Sequence, residues 1–206
     1  MNLTKLQQAE QQFLQRYPLG FRDPEMLALT RKHKMSPLID FAQQEFAQSR
    51  FKNSQSVSEA MSKLVSRSSM VSMFEKPKFR DYVAGIGNMD RKMLTDGLKE
   101  FLHGDQQKGF DQLVSTLAPA SLAKWSLLTI LPNYYAPDDE VFINPTTAKG
   151  VIEHFELGNL HYSAKPTWEF YRTYRDTILA MREKVDKSLA PNNAAFCGFL
   201  MISLVD

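Results

Sequence analysis

Between Pro119 and Pro132 the chain carries Trp125, Leu127, Leu128, Ile130 and Leu131 with few polar residues among them. A helix apolar on every side has no face to give to water, so other elements must surround it. The longest apolar stretch of the chain lies elsewhere, about Ala194 to Val205, and is too short for a membrane span, which needs roughly 20 residues; Leu122 to Leu131 is shorter still. The segment therefore commits the chain to a helical body built around one buried helix, and Pro132 is expected to end that helix.

The rest of the sequence supplies candidates for the surrounding layer. Thr4-Lys5-Leu6-Gln7 has the form of a capping box, with Leu6, Ala9, Phe13 and Leu14 sharing one face after it. Tyr17-Pro18-Leu19-Gly20 breaks that helix, and Asp23-Pro24 and Ser36-Pro37 each read as a cap followed by proline in the first turn. Ser56-Val57-Ser58-Glu59 forms a second capping box. Asn88 opens a helix closed by Gly104, and Asp105 caps the next at once, which predicts a helical hairpin with almost no loop. Thr167 to Lys187 reads as a long helix with Phe170, Tyr174, Ile178, Met181 and Val185 inward and Arg172 and Arg175 nearer the opposite side. Asn192 or Asn193 caps a last segment, read as helix.

One region changes period. Glu140-Val141-Phe142-Ile143-Asn144 has strand composition, Leu160-His161-Tyr162 is a second short candidate, and a helix with Val151, Ile152 and Phe155 lies between them. The expected fold is mainly α, a helical domain of about eight to ten helices with at most a small two-strand β element near residues 140–162. Residues 1–206 read as a single domain. Serine-rich and then basic residues 66–80 suggest a connecting segment between an N-terminal helical lobe, 1–65, and a C-terminal helical lobe, 81–206.

A chain of 206 residues can bury a core without staples. Its one cysteine, Cys197, cannot form an internal disulfide and lies in an apolar run, so it reads as a small buried hydrophobe. The N-terminus is polar and periodic, unlike a secretion signal, which makes the cytoplasm the expected location and a membrane an unexpected partner. The formal charge of +2 demands no polyanion.

Three places carry candidate chemistry. Thr146, Thr147 and Lys149 stand at a strand-to-helix junction where free N–H groups, two hydroxyls and a cation suit a small anion. The neighbouring Asp138, Asp139 and Glu140 offer oxygen ligands to a hard divalent metal. Lys76, Lys78, Arg80, Arg91 and Lys92 alternate with Phe74, Phe79 and Tyr82, a pattern suited to phosphates and stacked bases. Glu75, Asp81 and Asp90 oppose a polyanion there. The four histidines, His33, His103, His154 and His161, read as surface or helix-end residues, with His33 and His103 near the ends of expected helices, and Gly85-Ile86-Gly87 as a turn between helices.

No spacing matches a nucleophile elbow, a phosphate loop or a zinc motif, and no motif calls for a cofactor. The leading reading is thus a non-enzymatic binding module for a protein or a small anionic ligand. The alternatives are a nucleic-acid-associated protein using residues 74–92 and a metal-dependent enzyme at the 138–149 junction. Nothing in the sequence speaks to oligomeric state.

Overall fold

Asparagine, more than serine or threonine, opens these helices. The computed structural model describes residues 1–204, and among them are eleven α-helices and no strand. Asn2 accepts a hydrogen bond from the Lys5 N–H at 3.1 Å and starts α1 (Leu3–Arg16). Asn53 does the same from Ser56 and starts α4 (Ser54–Arg67). Both helices therefore begin upstream of the Thr4 and Ser56 capping boxes, because asparagine caps at least as well as a hydroxyl and comes first. Asp23 and Asp105 cap α2 (Pro24–Lys32) and α7 (Gln106–Leu117) as expected. Ser36-Pro37 caps nothing: α3 (Met35–Glu45) starts two residues before Pro37, after Lys34 turns the chain at a φ of 53°. Pro37 falls in its first turn, where no N–H is needed.

The remaining helices are α5 (Glu75–Gly85), α6 (Asn88–His103), α8 (Trp125–Tyr135), α9 (Pro145–His154), α10 (Trp168–Arg182) and α11 (Asn193–Ile202). Every residue of α8 from Trp125 to Tyr134 is buried, with α3, α4, α6 and α7 packed around it. Pro132 does not end this helix. It removes one N–H, but the Ala136 N–H donates to the Pro132 carbonyl at 2.8 Å and continues the turn. The buried Tyr134 hydroxyl shares a 3.1 Å hydrogen bond with Ser68, which holds the last turn in the core. Packing here outweighs a cost of about 3 kcal/mol for interior proline.

The region read as a connection is only partly one. Helix α4 continues to Arg67 and α5 begins at Glu75, and between them Ser68 and Val71 are buried. The α6–α7 hairpin forms as expected. Gly85 is the last residue of α5 and Gly87 precedes α6 across the short turn between them, yet neither has positive φ; Gly20 is the glycine that does.

The two-strand element near 140–162 is absent among the described residues. Residues 140–144 are extended and bury Val141 and Ile143, as a strand would, but they lie against side chains. The Ile143 N–H donates to Thr129 Oγ1 of α8 at 3.0 Å, the Val141 N–H to the Tyr171 hydroxyl at 3.4 Å, and Asn193 Nδ2 to the Glu140 carbonyl at 3.1 Å. With these backbone groups satisfied by helices, no partner strand is required. Leu160 is buried in a turn, and His161 and Tyr162 follow without a ladder.

A cavity between the turn at Phe21 and the last helix

The last helix sorts its residues by size. On one face of α11, Phe196, Phe199 and Leu200 are fully buried, and Phe199 meets Phe13 edge-on at 5.3 Å. The other face carries Ala194, Ala195, Cys197, Gly198 and Met201. All of these but Met201 are small and leave room, and together they wall a cavity of about 750 Å³, within the usual range for a small-molecule site.

The facing wall comes from Phe21, from Leu27 and Thr30 on α2, and from His33 just after its end. Met35, Met70, Phe142 and Tyr174 complete a mostly apolar lining. Helix α2 has only Met26 buried, while Leu27 is 40% exposed, and Met201 across from it is 49% exposed. The rim is therefore apolar as well as the interior. Gly20, at a φ of 58°, lets the turn at Gly20–Arg22 sit against Ser188, where a Cβ would come within 2.5 Å of the Ser188 hydroxyl. That close approach places Arg22 and Lys187 on the same lining; no carboxylate among the described residues lines the cavity with them, although Asp186, beside Lys187, lies near enough to Arg22 to feel its charge.

His33 Nδ1 and the Ser69 hydroxyl hydrogen-bond at 2.7 Å on the cavity wall. Serine–histidine pairs also serve nucleophilic catalysis, which needs an orienting acid on the second ring nitrogen and donors for an oxyanion. Among the described residues no carboxylate bonds His33, so the pair stands as a polar patch in the wall. Burial pushes the Cys197 thiol up to about 12. A thiol held up in this way stays protonated at pH 8 and is a poor nucleophile. We expect native protein to react with a disulfide reagent at pH 8 at least a hundredfold more slowly than urea-unfolded protein; equal rates would contradict the burial.

The residues singled out by sequence are dispersed. Asn144 caps α9 by accepting from both the Thr146 and Thr147 N–H groups, at 3.0 and 3.2 Å, so its own side chain occupies the donors expected to meet an anion. Thr147 lines the cavity, whereas Lys149 points its ammonium over the Tyr162 ring, 4.9 Å from the centroid. Asp138 pairs with Arg182 at 2.8 Å, Asp139 is exposed, and Glu140 is buried in a network with Gln106, Tyr171 and Arg175. Among the described residues no three His, Cys, Asp or Glu side chains gather where they would hold a metal ion. In the basic segment Arg80 pairs with Asp81, Lys92 with Asp96, and Phe79 is buried in the core. Arg91 is buried beneath α4, and Lys78 is exposed near Phe74, itself 76% exposed. His33, His103 and His154 do lie at helix ends. His103 Nε2 bonds the Phe46 carbonyl at 2.8 Å.

No helix among the described residues is long and apolar enough to cross a membrane. The chain matches no protein-family model, no curated protein and no solved structure.

Proposed function

We propose that the protein is a non-enzymatic binding module whose ligand is a small molecule with an apolar body and an anionic end. The observation that carries this is the two-sided α11, large residues toward the core and small ones toward a cavity of about 750 Å³. The apolar lining suits the body of such a ligand, since each methylene removed from water contributes about 0.8 kcal/mol. Arg22 and Lys187 supply positive charge for the other end, and His33, Ser69 and Asn192 offer hydrogen bonds.

A long-chain fluorescent carboxylate, cis-parinaric acid, is a direct probe. Saturable binding is expected, weakened at least tenfold by Gly198→Leu together with Ala195→Leu. A Cβ at Gly198 would touch only the Phe21 ring, at 3.7 Å, so a larger residue fills the cavity without displacing backbone. The same change replaces an interior helical glycine, so thermal stability should hold or rise while binding is lost. Arg22→Gln with Lys187→Gln should weaken the carboxylate and leave its methyl ester unaffected. Undiminished uptake in the filled variant would sink this reading.

A further inference from the structure

The protein neutralises two of its inward-facing guanidinium groups and leaves a third without a counter-charge. Arg175 meets Glu140 at 3.1 Å and Arg182 meets Asp138 at 2.8 Å. Arg91, only 8% exposed, has neutral partners: one terminal nitrogen donates to Ser58 Oγ at 2.8 Å and the other to the Ile86 carbonyl at 3.2 Å. Its Nε is buried with no hydrogen-bond partner, and among the described residues no carboxylate forms an ion pair with it. A buried charge lacking an opposite charge is costly, and a bound anion would relieve that cost.

Arg91 also lies at a groove. Arg91 lines a space of about 500 Å³ between α4 and α5, with Lys63 from α4 and Arg80 from α5 on the same lining. Ser62 and Ser66, one helical turn apart on α4, add two hydroxyls. Glu59 is the one acid on this lining, and it is engaged by Gln55 Nε2 at 2.5 Å. Among the described residues Arg80 pairs with the exposed Asp81, a surface pair whose loss costs little. Lys63 lies over the Phe41 ring, 5.3 Å from the centroid, and forms no ion pair among the described residues.

We propose that this groove is a second ligand site, one that takes the phosphate group of a small molecule. Three cations and two hydroxyls around one space suit a tetrahedral dianion, and a guanidinium can offer it two parallel N–H donors. Arg91 lies recessed, so a terminal phosphate reaches it more readily than the backbone of a polymer passing over the rim. The site is separate from the α2–α11 cavity and shares no lining residue with it.

Isothermal titration and thermal melts with inorganic phosphate and phenyl phosphate, against chloride at matched ionic strength, test the proposal. Both phosphates should bind and raise Tm beyond chloride. The surface variant Lys63→Gln with Arg80→Gln should weaken binding at least tenfold, and Arg91→Lys should abolish it. Glu59→Gln, which removes the one negative charge, should tighten binding severalfold. No phosphate effect beyond chloride would overturn the site, as would an unchanged affinity in the Lys63/Arg80 variant, which does not depend on the fold of an Arg91 variant. Oligonucleotides binding more tightly than phenyl phosphate, with a steep salt dependence, would overturn the small-molecule assignment.

Discussion

Glu140→Ala should destabilise the protein by about 3–5 kcal/mol, the usual cost of breaking a buried ion pair from one side. Glu140 is 4% exposed, and each of its oxygens is engaged. Oε2 accepts from the Tyr171 hydroxyl at 2.5 Å, and Oε1 accepts from Gln106 Nε2 at 2.7 Å. The Arg175 guanidinium donates to both oxygens, at 3.1 and 3.3 Å, while packing against the Trp168 and Tyr171 rings. One carboxylate thus ties the extended segment 140–144 to α7 and α10. Its removal strands a mostly buried guanidinium and a phenol together. Tyr171→Phe should cost less, about 1–2 kcal/mol, because the charge pair survives it. Urea unfolding of the three proteins measures the difference, and a loss under 1 kcal/mol for Glu140→Ala would show that Arg175 finds water instead.

The same network sets an alkaline limit. Burial first, and the Glu140 carboxylate second, hold the Tyr171 phenol well above its usual 10. A group whose pKa is higher in the folded state contributes stability below its unfolded value and loses that contribution as pH rises past it. Stability should therefore decline above about pH 10, and Tyr171→Phe should soften that decline.

Periodicity and caps made most of the helices legible, since an apolar stripe at helical spacing has few other uses. What they left out is pairing across sequence. Arg175 reads as an outward residue when Phe170, Tyr174 and Ile178 are taken as the buried stripe of α10. In the folded protein Tyr171 and Arg175 form a second inward face, toward Glu140 and Gln106. A charged residue on a buried face cannot be recognised until its partner, here 35 positions away, is placed beside it. Asp138, Asp139 and Glu140 look like one cluster in sequence, yet the turn at Asp138 and Asp139 leads into an extended segment and sends them to three environments. The cavity did leave a local trace. In Ala194-Ala195-Phe196-Cys197-Gly198-Phe199-Leu200 hydrophobicity is uniform, so pattern alone says buried, but size alternates between faces. Side-chain volume, not polarity, was the signal for a wall.

Gly109→Ala reverses an ordinary rule. In an exposed helix interior this change stabilises by about 1 kcal/mol, because alanine loses less backbone freedom on folding. Gly109 of α7 instead faces the backbone of α6. A Cβ there would lie 2.2 Å from the Phe101 nitrogen, 2.7 Å from its Cα and 2.7 Å from the Gly97 carbonyl oxygen. Gly97 on α6 completes the crossing, where a Cβ would come within 3.2 Å of the Leu113 side chain and 3.3 Å of its backbone nitrogen, distances far looser than those at Gly109. A flexible side chain can turn away from a new methyl group, but helix backbone cannot. Relief requires the two helices to separate, and Phe101 and Phe110, which meet edge-on at 5.9 Å across that interface, would part with them. Overpacking a core typically costs about 1–3 kcal/mol, and a clash with rigid backbone belongs at or above the top of that range. The net expectation for Gly109→Ala is a loss of roughly 2–3 kcal/mol after the gain in propensity. Gly97→Ala, which meets only Leu113, should lose less than half as much. Thermal and urea melts of both variants decide the point: if Gly109→Ala is neutral or stabilising, α6 and α7 do not approach as closely as this crossing requires.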